Sequence, residues 1–359
     1  MKSYNHLYEQ YLSDDNIKLA IINACKHKTK YKRFRDLKNN PEANIGRTRK
    51  YAAHFKNAKH TPIEIYDGIQ RKKRKIIVPK LGEQIVHHMV VNVLKPIFLK
   101  SMYEHSYGSI PKRGGVMGMK TIKRWMTDHR NTKYCLKMDI RKYFDSVPHE
   151  IIIRKLTEVI HDERFLEIVL EIVSVTDQGL PLGFYTSQWF ANWYLTPLDH
   201  YIKQELKAKY YVQYMDDMII FGANKRKLHN MRASVERYLH EELGLELKKN
   251  WQVFPTKSRA LDFMGFRFFH DRITLRKSIL QKARRKANRI RNKDRPTLYD
   301  AKQMLSYLGW ITQTDTYGYY LKYIKPCVNI QYLKRRVSSY DKRMANRARK
   351  SGAAGQLCA

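Results

Sequence analysis

The sequence predicts an α+β fold, an antiparallel sheet backed by helices, and three observations predict it. Two apolar runs, Tyr210 to Gln213 and Met218 to Phe221, flank Tyr214-Met215-Asp216-Asp217 and read as strand, tight turn and strand. A further run, Tyr134-Cys135-Leu136-Lys137-Met138-Asp139-Ile140, reads as a short buried strand ending in a carboxylate. Other segments repeat apolar residues at helical period, most clearly Ile85, Val86, Met89, Val90, Val93, Leu94 and Phe98. With 359 residues and 42.9 kDa, the chain has room for one multi-lobed unit or two to three small domains.

In chain order, residues 1–60 are helical in pattern, with Ser13 as N-cap before Ile17, Ile21 and Ile22 and a second helix near Thr48 to Phe55. No chemistry is legible there. From Pro62 to Val78 the pattern turns to strands, and the basic run Arg71-Lys72-Lys73-Arg74-Lys75 precedes Ile76-Ile77-Val78-Pro79; such a run is ordinarily a solvated turn. Pro148 to Val173 carries two helices, the second capped by Asp162. A long helix is expected from about Ser187 to Leu206, its Trp189, Phe190, Trp193, Tyr194 and Tyr201 facing the core more readily than a base. Lys225 to Leu243 is helical and closed by Gly244, after which Leu245 to Lys249 returns to the sheet. Phe263-Met264-Gly265-Phe266 reads as a tight hairpin. Arg276 to Arg295 holds ten basic residues in twenty and one acid, Asp294, with Ile279, Leu280, Ala283, Ala287 and Ile290 marking an apolar helix face. Solvation favours alternating signs, so a run of one sign points to a phosphate backbone. Ser351 to Ala359 is expected to be disordered.

Charge sets the partner class. Seventy Lys and Arg against thirty-three Asp and Glu give a net charge of +37, spread along the chain, which calls for a polyanion. No run approaches the roughly 18 apolar residues of a spanning helix, so nucleic acid is favoured over membrane. Met1-Lys2-Ser3-Tyr4-Asn5-His6 leads into polar sequence with no apolar signal region. The four cysteines, Cys25, Cys135, Cys327 and Cys358, lack metal spacing and suit a reducing cytoplasm; the fourteen histidines read as structural or solvent-facing.

The chemistry lies in the carboxylates. Two adjacent Asp at a turn tip repel unless a divalent cation sits between them, although a bare Asp-Asp pair is more often a plain turn. A two-metal phosphoryl-transfer site needs a second acidic strand end, with cations about 4 Å apart. Asp139 supplies that end, and the three carboxylates can share a pair of Mg ions if their strands are neighbours. Phe144, five residues after Asp139, can exclude a 2′-hydroxyl beneath the sugar of an incoming nucleotide, or simply be core. In polymerases, which this carboxylate pattern resembles, a lysine near this point can protonate the leaving pyrophosphate; Lys248 or Lys249 could do so, though surface lysines without a role are commoner.

Taken together, Lys137-Met138-Asp139-Ile140 with Phe144, Gly179-Leu180-Pro181-Leu182-Gly183 with Ser187, Tyr214-Met215-Asp216-Asp217, and Phe263-Met264-Gly265-Phe266 resemble the ordered palm motifs of reverse transcriptases, over roughly residues 70 to 325. The resemblance implies a right-hand polymerase. Its fingers would be 61–100 and 147–180, its palm 101–146 and 181–270, and its basic helical thumb 271–345, after an N-terminal helical extension (1–60) and before a tail (346–359). Asp139, Asp216 and Asp217 would be catalytic and, with the Ile140 carbonyl, hold two Mg ions. Arg74, Phe144, Leu182 and Gly183 would meet the nucleotide; Phe263, Met264 and Gly265 would form the primer grip; Arg284, Arg285 and Arg289 would face nucleic acid. Ser106 to Gly115 resembles the family's Tyr-Gly-x-Arg-Pro segment with Ile110 for the arginine, which Lys112 or Arg113 could replace.

One departure narrows the family. Most reverse transcriptases carry Gln-Gly, three residues, then Ser-Pro. Here Leu182-Gly183-Phe184-Tyr185-Thr186-Ser187-Gln188 resembles the enzymes of diversity-generating retroelements, whose cDNA is miscopied at template adenines. That resemblance implies an error-prone RNA-directed DNA polymerase, bacterial or phage-encoded and cytoplasmic. Its partners would be a template RNA, the cDNA/RNA heteroduplex, dNTPs and a small basic pentameric accessory protein. A retron, group II intron-like or phage-defence reverse transcriptase is the alternative, a complete intron protein being disfavoured because no maturase or nuclease module follows the thumb. Outside the class stands a non-catalytic RNA-binding module.

Overall fold

The computed structural model describes residues 3–26, 28, 31–67 and 72–355. Ser13 separates α1 (Leu7–Leu12) from α2 (Asp14–Ala24), its hydroxyl accepting the Asn16 amide at 3.3 Å as the sequence predicts. α3 (Lys32–Asn39) is unforeseen, because its one buried residue, Phe34, leaves no periodicity to read; α4 (Ile45–Ala53) begins earlier than expected. These helices are not an extension. Tyr11, Ile17 and Ile21 are fully buried in the main core, Tyr11 donates to the Ala52 carbonyl at 3.2 Å, and Asn16 reaches the Met89 carbonyl at 3.2 Å.

β1 (Ile63–Asp67) and β2 (Lys72–Ile76) pair antiparallel, with Arg74 opposite Ile65. The basic residues expected as a turn before a strand are thus largely the strand itself, since long Lys and Arg stems suit a two-stranded ribbon with solvent on its faces. Arg71 lies outside the described residues. α5 (Leu81–Ser101) buries the predicted stripe. α6 (Gly115–Trp125) precedes β3 (Tyr134–Asp139) and the single turn α7 (Tyr143–Ser146). α8 (His149–Val159) and α9 (Glu163–Val173) follow, the latter capped by Asp162 through the Phe165 amide at 3.2 Å.

The expected long aromatic helix is three pieces: α10 (Tyr185–Tyr194), α11 (Thr196–His200) and a π turn, Tyr201–Glu205. Pro197 lies at the start of α11, where its missing N–H ends the run from α10. Trp189, Phe190, Trp193 and Tyr194 are core as predicted, with Trp193 stacked on Phe98 at 4.7 Å, whereas Tyr201 is half-buried. β4 (Tyr210–Tyr214) and β5 (Asp217–Gly222) form the acidic hairpin. α12 (Lys225–Leu243) ends at Gly244, whose φ of 58° is the left-handed C-cap, and β6 (Gln252–Pro255) completes a sheet ordered β4-β5-β3-β6. Leu245 to Lys249 reaches the sheet only through a bridge between Leu247 and Ile140.

The remaining elements are a three-stranded sheet, β7 (Leu261–Phe263), β8 (Phe266–Phe268) and β9 (Ile273–Leu275), then helices α13 (Lys277–Arg291), α14 (Leu298–Ile311), α15 (Tyr317–Tyr323) and α16 (Ile330–Gly355). The backbone is therefore helical to Gly355, not disordered from Ser351; residues 356–359 lie outside the described part. Two compact units result: Met1–Gly118 with Arg130–Phe254, and Met119–His129 with Pro255–Ala359. The expected fingers and palm share one core. Residues 255–270, expected with the palm, fall in the second unit, because β7 to β9 pack on the helices after them, as in the Phe266–Trp310 stack at 5.3 Å. Among the described residues no helix is long and apolar enough to cross a membrane.

Candidate active site

The β3–β5 register places Asp139 directly opposite Asp217, so the strands are neighbours as the chemistry requires. Asp216 sits in the two-residue turn of the hairpin after Met215, whose φ of 55° is left-handed and costly for a non-glycine residue. The surroundings hold it there. Buried Gln213 donates through Nε2 to the Met215 carbonyl at 3.0 Å, the Tyr107 amide donates to the Gln213 carbonyl at 2.9 Å, and the Ile140 amide donates to the Asp216 carbonyl at 3.3 Å. Gly108 presses on the turn so closely that a Cβ there would stand 2.6 Å from the Met215 side chain.

The Asp139 and Asp216 carboxyls are close neighbours, Asp216 standing one residue before Asp217, the residue that faces Asp139 across the strands. Burial first, and then the Asp139 charge, push the Asp216 carboxyl up to about 7. Asp139 Oδ2 accepts from the Lys248 ammonium, whose backbone N–H also donates to the Asp139 carbonyl at 2.8 Å, while Oδ1 is buried without a hydrogen-bond partner. Among the described residues, no three His, Cys, Asp or Glu side chains form a ready-made metal cluster. What is assembled is narrower: two neighbouring carboxylates, one with an orphaned oxygen, and a lysine paired with Asp139. That donor set fits a hard divalent cation, for which carboxylate oxygens are the preferred ligands.

A cavity of about 710 Å³ is lined by Asp216 together with Phe144, Leu182, Gly183 and Arg74, so the structure brings the predicted nucleotide residues to one place. Phe144 is half-buried, packed against the core and also lining this cavity. Gly183 is required twice over: its φ is 107°, and a Cβ would lie 2.1 Å from the Ile77 carbonyl oxygen. The Leu182 carbonyl accepts the Ile77 amide at 2.7 Å, tying the end of the basic hairpin to the glycine segment. Lys28, His88, Tyr185 and Gln188 line the same cavity and escaped the sequence reading as site residues. Lys28 stands in a region without motifs, and His88 was read as structural or solvent-facing. Ile110 is buried, and Arg113 is half-buried and donates through Nη1 to the Tyr103 carbonyl at 3.0 Å.

In the second unit, Met264 and Gly265 form the predicted tight hairpin, both with positive φ (52° and 86°), a turn whose twist matches the strands. The role expected for glycine changes, however: the close approach at Gly265 is to Ile279 and Trp310, where a Cβ would meet atoms at 3.0 and 3.1 Å. Phe263 is 1% exposed, so its side chain is core and any contact with a primer falls to the backbone or Met264. On α13, Ala283, Ala287 and Ile290 are buried and Arg284, Arg285 and Arg289 exposed, as the pattern predicts. The run is not uniformly available to phosphate. Lys286 is buried against Asp300 at 2.6 Å, and Arg276 is held by Asp262 at 2.8 Å. Burial would raise the Asp300 carboxyl, but hydrogen bonds from Lys286, Lys293 and Thr297 outweigh it and hold the group well below the usual range.

Comparison with known proteins defines the class. Residues 58–268 match the family described as reverse transcriptase (RNA-dependent DNA polymerase), and the chain belongs to it. It is similar to protein YkfC of Escherichia coli K12, 22% identical over 245 residues, covering 56% of this chain and 64% of that protein. It is similar also to the Retron Ec73 reverse transcriptase of Escherichia coli, 24% identical, covering 60% and 72% of the two chains. A putative COX1/OXI3 intron 2 protein of Saccharomyces cerevisiae is 21% identical, covering 54% of this chain and 30% of its own. Of YkfC and the yeast protein, then, the chain spans less than two thirds. Among solved structures, Candida tropicalis telomerase in complex with a fragment of telomeric RNA has a TM-score of 0.51 at 12% identity, covering 82% of this chain and 55% of that one. The fold is that of a right-hand polymerase.

Proposed function

We propose that this chain is an RNA-directed DNA polymerase that extends a primer 3′-hydroxyl onto the α-phosphate of a dNTP. The observation that carries it is the placing of Asp139 beside Asp216 at the wall of a cavity that also holds Arg74, Phe144 and Gly183. A protein that merely bound RNA would gain nothing from converging carboxylates facing a polyanion. Two Mg ions held by Asp139, Asp216, Asp217 and the Ile140 carbonyl would lower the pKa of the attacking hydroxyl and neutralise the triphosphate. Arg74 clamps phosphate. The Phe144 ring fills the space a 2′-hydroxyl needs. Lys248, on Asp139, is placed to give a proton to the departing pyrophosphate once that carboxylate turns to its ligand role. The exposed arginines of α13, with the Met264–Gly265 turn, would track the cDNA/RNA heteroduplex.

The finer assignment, to a diversity-generating retroelement, rests on Leu182 and Gln188, which both line the nucleotide cavity. A glutamine at 182 could hydrogen-bond near the nascent pair; leucine cannot, and one such bond is worth about 0.5–1.5 kcal/mol. Discrimination that depends on it falls by several-fold to about tenfold. In that reading the partners are a template RNA encoded beside the gene and a small basic pentameric protein, in a bacterial or phage-infected cytoplasm. The similarity to retron enzymes favours a retron-type reverse transcriptase as the second reading. Sequencing cDNA made by the purified protein on a defined RNA separates them. Errors concentrated opposite adenine, reduced in Leu182→Gln, support the first; uniform low error leaves the second. No synthesis by wild type, or synthesis that survives Asp216→Asn, removes both.

A further inference from the structure

The cavity lined by Asp216 and Phe144 is also lined by Lys28, His88 and Tyr185, to which the reaction above gives no task. Tyr185 opens α10 two residues after Gly183 and is 37% exposed. Its ring lies on the His88 imidazole, with centroids 4.2 Å apart and planes inclined by 34°. Burial first, and then the nearby Lys28 charge, lower His88 to about 4, so the imidazole is uncharged at neutral pH. Lys28 comes from the segment after α2, far from the acidic strands in sequence. Its ammonium donates to Gln84 Oε1, and Gln84 Nε2 donates in turn to the Pro79 carbonyl at 2.7 Å, so the lysine is anchored at the start of α5.

Without a charge, the ring pair can meet a phosphate only through its O–H and N–H donors. It offers a nucleobase a flat face, while an ammonium in the same cavity suits the phosphate attached to that base. His88 is itself half-buried, and Tyr185 above it keeps over a third of its surface open, so the ring pair is accessible from the cavity. We propose that Lys28, His88 and Tyr185 form a nucleobase subsite, the Tyr185–His88 pair stacking a base and Lys28 pairing with that nucleotide's phosphate. This rests on the polymerase reading and specifies how that site takes a nucleotide. The base has two possible sources, an incoming deoxynucleoside triphosphate or the templating ribonucleotide.

Fluorescence of 2-aminopurine, which stacking quenches, tests the subsite on the full chain. One arm uses 2-aminopurine deoxynucleoside triphosphate; the other uses a primed RNA with one 2-aminopurine at the templating position. Tyr185→Leu keeps bulk at a partly exposed position but removes the π face, and it should weaken binding about tenfold and relieve quenching in one arm. Tyr185→Phe should restore both, and Lys28→Gln should weaken binding several-fold in that same arm. An effect in the triphosphate arm assigns the subsite to the incoming nucleotide, an effect in the template arm to the template. Quenching and affinity unchanged by Tyr185→Leu in both arms overturn the proposal. Failure of the polymerase reading looks different: wild type makes no DNA, yet Tyr185-dependent quenching persists.

Discussion

At the scale of single residues, the Asp139–Asp216 pair makes a pH prediction with a definite sign. Burial and Asp139 raise Asp216 from 3.8 to about 7 in the folded protein. A raised folded pKa contributes stability that is fully present below the unfolded value and is lost as pH rises through the folded one. In a chelator, wild-type melting temperature should therefore fall between about pH 4 and pH 7 relative to Asp216→Asn, whose amide does not titrate; parallel curves for the two proteins would refute it. Phe144 makes the second prediction at this scale. Because it is half-buried and lines the cavity, Phe144→Ala should raise ribonucleotide incorporation relative to dNTPs at least about tenfold, one such factor corresponding to about 1.4 kcal/mol. Unaltered discrimination in an active variant would return the residue to the core. Asp139, Asp216 and Phe144 could be singled out as candidates because strand ends and short spacings are local. Lys248 could be named only as one of two possible proton donors, and Lys28 and Tyr185 not at all, since what stands beside them comes from a distant segment.

At the scale of elements, α13 shows how far a charge run can be read. Periodicity correctly separated buried Ala283, Ala287 and Ile290 from exposed Arg284, Arg285 and Arg289. It missed that Lys286 is consumed by Asp300 and Arg276 by Asp262, partners 14 residues away in each case. Exposed arginines should carry the salt dependence of RNA binding. Replacing Arg284, Arg285 and Arg289 with Gln should lower the log–log salt slope by about 2, at about 0.7 per phosphate contacted, whereas Lys286→Gln should cost stability and leave the slope alone. Filter binding from low to high salt checks both, and an unchanged triple-variant slope would place the RNA elsewhere. The β1–β2 hairpin teaches the same lesson: basic residues looked like a turn, yet long aliphatic stems let Lys72 to Ile76 serve as a strand.

At the scale of the whole molecule, the N-terminal helices belong to the catalytic unit. Tyr11 is fully buried, meets Phe165 at 5.6 Å between ring centroids and donates to Ala52, so Tyr11→Ala should destabilise that unit by about 3–5 kcal/mol and lower its urea midpoint, with loss of polymerase activity at temperatures where wild type is active. A midpoint within experimental error of wild type would mean that these helices are appended after all. By itself the sequence determined the α+β class, the acidic strand end and hairpin, most helices with their Ser13, Asp162 and Gly244 ends, the buried aromatic helix, and membership of the reverse transcriptase family. Each follows from short-range signals: alternation, helical period, capping chemistry, or motif order. Only the tertiary structure decided that Asp139 faces Asp217 and lies beside Asp216, that Lys248 pairs with Asp139, that 255–270 packs with the helices after it, and that Lys28 reaches the cavity lined by Asp216. Those are long-range pairings, set by which apolar faces bury against one another, and no local pattern along a chain encodes the partner a face will find.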